Sequence, residues 1–68
     1  MVKVTDIKLD SANKEAQVTL FADAKADVSS SMAVKGLPEG YSLAQGSSVL
    51  TAAGELAFLK SDGTWNWV

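Results

Sequence analysis

Between Val2 and Leu9 the apolar residues Val2, Val4, Ile7 and Leu9 are interleaved with Lys3, Thr5, Asp6 and Lys8, but they move from even to odd positions after Val4. Period-two alternation marks a strand with one buried face, and a change of parity within it marks an extra residue. The spacing predicts a strand bulged near Thr5 and Asp6. Asp10-Ser11-Ala12-Asn13 then gathers short polar side chains that bond their own backbone and reverse the chain. Beyond the turn, Ala16, Val18, Leu20, Ala22, Ala24, Ala26 and Val28 hold every even position, with Gln17, Thr19, Asp23, Lys25 and Asp27 on odd ones. This reads as a second strand with one buried face. Its stretch from Phe21 to Asp27 is Ala-rich and also suits a helix, so both conformations stay open there.

Ser29-Ser30-Ser31 is a polar break, and Met32 with Val34 suggests a short strand closed by the turn Gly36-Leu37-Pro38-Glu39-Gly40. Leu37 to Tyr41 is thus the expected hinge between an Ala-rich half and a more hydrophobic one. Three strands follow, Ser47 to Thr51, Glu55 to Lys60 and Thr64 to Val68, joined by Ala52-Ala53-Gly54 and by Ser61-Asp62-Gly63, whose Asp-Gly step is a strong hairpin signal. Within this meander Leu56 and Phe58 point to one side and Ala57 and Leu59 to the other, and Val49 and Leu50 also diverge. Both faces are apolar, so both need a cover. The N-terminal strands can supply one, through Val4, Val18 and Leu20. The other falls to the same chain curling into a barrel or to another copy. The expected fold is a single all-β domain over residues 1–68, a small antiparallel sandwich or partly open barrel with a C-terminal three-strand meander.

Composition narrows what such a domain can do. A chain of 68 residues buries a core small enough to need help from disulfides, metal or oligomerisation. With no Cys and no His, disulfides and the usual zinc sites are absent, which leaves oligomerisation. The same absences remove His-based acid/base catalysis, Ser–His and Cys–His nucleophiles and thiol redox. The expectation is a protein that is not an enzyme, with no catalytic residues, no cofactor and no metal. All six basic residues are Lys and the net charge is −2; without Arg to grip phosphates and base edges, no nucleic-acid partner is expected. No apolar run resembles a signal peptide or a membrane span, so neither secretion by a leader nor membrane association is expected.

Trp65 and Trp67 share parity and present two indoles on one face. Together with Leu56 and Phe58 they are the candidate core or assembly contacts. In the alternative reading, Tyr41, Trp65 and Trp67 form a platform for a glycan or peptide. Asp23, Lys25 and Asp27 would line one strand face, where carboxylates can hold calcium, but the intervening Lys25 favours a solvated face. The five glycines are scattered among turns and form no phosphate cradle.

The stretch Gly46-Ser47-Ser48-Val49-Leu50-Thr51, Gly54-Glu55-Leu56-Ala57-Phe58-Leu59 and Ser61-Asp62-Gly63-Thr64-Trp65 resembles the C-terminal part of small proteins encoded in the structural-gene regions of tailed phages and prophages, some of them head-fibre or minor virion proteins. That pattern often carries an aromatic residue before the Thr, where this chain has Leu50. The resemblance implies a phage structural or accessory protein that forms a homo-oligomer or packs on other virion proteins. It would reside in the host bacterial cytoplasm during assembly or in the virion.

Overall fold

The structure is a computed structural model that describes residues 1–29 and 34–68. Strand β1 (Val2–Asp10) runs antiparallel to β2 (Glu15–Ala22), and their register shifts between Val4 and Asp6. The expected bulge is therefore present, and it keeps Val4 and Ile7 on one face, opposite Leu20 and Val18. At the turn, the Asp10 carboxylate accepts hydrogen bonds from the backbone N–H of Ala12 (3.1 Å) and Asn13 (3.3 Å) and from Asn13 Nδ2 (2.8 Å). Lys14 completes the reversal in the left-handed region, at φ 55°.

β2 ends at Ala22, earlier than its alternation suggests. Ala22 pairs with Val2 on one side and with Thr51 on the other, so both neighbouring strands stop there and the chain beyond has no ladder to join. Residues 25–27 form a single 3-10 turn instead. Asp23, Lys25 and Asp27 accordingly line no strand face. Val34 lies outside any strand, and Met32, Ser30 and Ser31 fall outside the described residues. Near the expected hinge, Leu37 N–H bonds Val34 O and Tyr41 N–H bonds Pro38 O, with Gly36 and Gly40 at φ 94° and 86°.

After this connection come β3 (Ser42–Leu43), β4 (Ser48–Thr51), β5 (Leu56–Leu59) and β6 (Trp65–Trp67). β4, β5 and β6 form the antiparallel meander read from the sequence. β3 and β4 run parallel to β2, and the result is one open, mixed sheet of six strands in the order β1-β2-β4-β5-β6, with β3 also on β2.

β3 and β4 are two pieces of a broken strand. Ser42 pairs with Glu15 and Ser48 with Thr19, so the offset grows from 27 (42 − 15) to 29 (48 − 19). The two extra residues fold into a turn at Ala44–Ser47, where Ser47 N–H bonds Ala44 O at 3.2 Å. This turn removes a backbone acceptor from Val18, and the buried Ser47 hydroxyl replaces it, accepting from Val18 N–H at 3.1 Å and donating to Ala44 O at 2.8 Å.

One face of the sheet holds the core: Ala16, Val18, Leu20 and Ala22 of β2, Val49 of β4 and Ala57 of β5. Val28, Val34, Leu37, Tyr41 and Leu43, from the connection and β3, pack against it. This corrects the expected layering. Val4, Val18 and Leu20 belong to the same sheet as the meander, and the cover comes from the parallel crossover, which must pass over a face to bring β4 alongside β2. Small residues at Ala16, Ala22 and Ala57 leave room for an irregular segment to lie close.

Candidate functional site

The sheet's other face carries the candidate site. In β2 the odd positions point there, and Phe21 is the apolar one among Gln17 and Thr19. Register places Phe21 beside Leu50, and Leu50 beside Leu56. Phe58 lies one step along β5, paired with Ser48 and Asn66. Phe21, Leu50, Leu56 and Phe58 therefore form one apolar patch across β2, β4 and β5. Leu50 is 45% exposed and Phe58 42%, while Phe21 and Leu56 are half-buried. Exposed Lys3, Asp6 and Lys8 on β1 and Thr19 and Asn66 around the patch give it a polar border.

The four residues singled out in the meander thus divide between two faces. Leu56 and Phe58 are on the open face; Trp65 and Trp67 are half-buried on the covered one and pack against the core. Trp65 Nε1–H donates to Ser29 O at 3.3 Å, and Lys25 Nζ lies 4.9 Å from the centroid of the Trp67 ring, so the indoles fasten the crossover to the sheet. Tyr41 is elsewhere, next to the start of β2, with Lys14 Nζ 5.6 Å from its ring centroid. β4 and β5 separate β2 from β6, so the three aromatic residues are not assembled into one platform. Phe21 and Leu50 complete the open patch and were missed as site residues, because only the β2–β4 register aligns them. A Phe at an odd position of a strand whose buried residues are even was the available signal.

Beside Asp10, four further acidic residues, Asp23, Asp27, Glu55 and Asp62, bond to groups of the chain itself. Asp23 and Asp27 converge on the Met1 ammonium, at 3.3 and 2.6 Å. Glu55 Oε1 accepts from Thr51 Oγ1 at 3.2 Å. Asp62 accepts from Thr64 Oγ1 at 2.6 Å and from Thr64 N–H at 3.1 Å. Among the described residues no three His, Cys, Asp or Glu side chains gather as a metal site would require. No described helix is long and apolar enough to cross a membrane.

These bonds make stability depend on pH. Asp27 is held below the ordinary 3.8 chiefly by its hydrogen bond from the Met1 ammonium, Asp10 by that from Asn13, and Asp62 by that from Thr64. A carboxyl depressed in the folded state stabilises the fold above its ordinary pKa, and loses that contribution as pH falls through the folded value. The Met1 ammonium is raised above 8.0, first by Asp27, so its contribution is present below that value and fades as pH rises through the folded one. All four groups are exposed, so solvent screens each effect. The melting temperature is expected to fall modestly between about pH 4 and about pH 2. A melting temperature that stays flat or rises over that interval would show that these bonds do not form in solution.

Comparisons with protein-family models, with curated proteins and with solved structures give no match.

Proposed function

We propose that this chain is a non-enzymatic structural or accessory protein of a phage or prophage, and that it self-associates through its β surfaces. The observation that carries the reading is the open-face patch of Phe21, Leu50, Leu56 and Phe58. Contiguous apolar surface with a polar border is the mark of an interaction site. A domain this small also gains more than a large one from burying it against another copy. The phage assignment rests on the resemblance of Gly46 to Trp65, whose meander contributes three of the four patch residues. Binding of a glycan or peptide by Tyr41, Trp65 and Trp67 has less support, since the indoles lie under Lys25 and Ser29 and Tyr41 stands apart from them.

The test is solution mass by light scattering over a dilution series, for the natural chain and for Leu50→Lys. The natural chain is expected to form oligomers that dissociate on dilution. The variant, whose new charge sits in the centre of the patch, is expected to show a lower mass at equal concentration with an unchanged circular dichroism spectrum. Equal masses for both would remove the open face from the assembly.

A further inference from the structure

The two edges of the sheet differ in a way that points to a second contact. β5 and β6 are antiparallel, with Val68 N–H bonded to Leu56 O and Lys60 N–H to Thr64 O. Positions 64, 66 and 68 therefore direct their backbone groups at β5. By the alternation of an antiparallel ladder, Trp65 and Trp67 direct theirs outward, to an edge on which no strand lies among the described residues. An exposed row of N–H and C=O groups is a template for another strand, and proteins that stay single blunt it. β1, the opposite edge, is blunted by its bulge and by Lys3, Asp6 and Lys8. β6, Trp-Asn-Trp, has no charge, proline or bulge, and its length of three residues is its one blunting feature.

We infer that β6 pairs antiparallel with β6 of a second copy about a two-fold axis through Asn66, joining two sheets edge to edge. The strand is self-complementary in this register. Trp65 meets the partner's Trp67 as a hydrogen-bonded pair, and Trp67 meets the partner's Trp65, so all the outward backbone groups of both residues are used. Asn66 meets the partner's Asn66 as a non-hydrogen-bonded pair, where the side chains come closest and two amides can bond each other. The half-buried indoles gain cover from those of the partner on the same face. A two-fold axis perpendicular to the sheet keeps both open faces on one side, so their apolar patches lie side by side. This inference rests on the proposal that the chain self-associates, and it names a different surface from the one that Leu50→Lys probes.

Asn66→Cys tests it. Asn66 is exposed on the open face, so the substitution leaves the monomer's packing intact, and the chain has no other cysteine. In the inferred register the two Cα atoms are ~4.5 Å apart, within the roughly 4.4–6.8 Å a disulfide spans. Ser11→Cys, exposed in the β1–β2 turn, reports collisional crosslinking, and each cysteine is placed in the Leu50→Lys chain so that contact between open faces does not supply the crosslink. Under mild oxidant, the Asn66→Cys protein is expected to form disulfide dimers at least about tenfold faster than the Ser11→Cys protein, because pairing holds the thiols at high local concentration. Equal rates, with light scattering still showing oligomers of the natural chain, would overturn edge pairing and leave the self-association proposal standing. Equal rates with a monomeric natural chain would overturn both.

Discussion

Leu20→Ala is expected to destabilise the fold by about 3 kcal/mol, the largest loss of any single truncation considered. Leu20 is the largest fully buried side chain among the described residues, centred in β2 between Val4 of β1 and Val49 of β4. Removing it costs the transfer energy of the lost atoms and the energy of the cavity they leave, together about 3 kcal/mol. A domain of this length has a total stability of about 3 to 10 kcal/mol, so one truncation consumes between about three tenths and nearly all of it. The alanines at 16, 22 and 57 limit repacking, because they have no longer side chains to swing into the space. Urea denaturation followed by circular dichroism measures the effect as a lower midpoint with an unchanged slope. A midpoint within error of the natural chain would mean that Leu20 is not at the centre of the core.

Ser47→Ala is expected to cost about 1–3 kcal/mol, more than its loss of one atom suggests. The hydroxyl is fully buried and fills the gap in the ladder between β3 and β4, accepting from Val18 N–H and donating to Ala44 O. Alanine leaves that N–H buried without a partner, which costs more than breaking a bond that water can remake. The neighbouring Ser48→Ala, on the open face, is the control and should change stability by less than about 0.5 kcal/mol. Amide exchange adds a local reading, since Val18 should lose protection in the Ser47 variant beyond the general change. If both serine variants were equally stable, the hydroxyl would not be the acceptor at the break.

Much of the fold was legible because alternation reports which face a side chain takes. Ala16 to Ala22, the parity change at Thr5 and Asp6, and the Asp62-Gly63 hairpin each encode a local geometry that their own residues enforce. Alternation says nothing about which strand lies alongside. The parallel pairing of β2 with β4 therefore escaped, and with it the mixed character of the sheet. The end of β2 escaped for the same reason, since Ala24, Ala26 and Val28 continue the pattern after the neighbouring strands have stopped. The two-residue strand β3 is too short to show any period. For the candidate site, the divergence of Leu56 and Phe58 from Ala57 and Leu59 was readable from parity, while joining Phe21 and Leu50 to them required the register between halves of the chain that are distant in sequence.

That distant register also orders the folding process in time. β1 with β2, and β4 with β5 and β6, are linked by short turns and can pair early, at little loop-closure cost. A two-strand hairpin alone is marginal in water, and neither unit contains the whole core. The pairing of Leu20 with Val49 must close the entire connection at once, and it is the event that brings the two halves of the apolar cluster together. Pairings this far apart in sequence slow a chain's folding. Until this one forms, both faces of the meander are open to water, and at high chain concentration a neighbouring copy competes for them with the chain's own tethered β2.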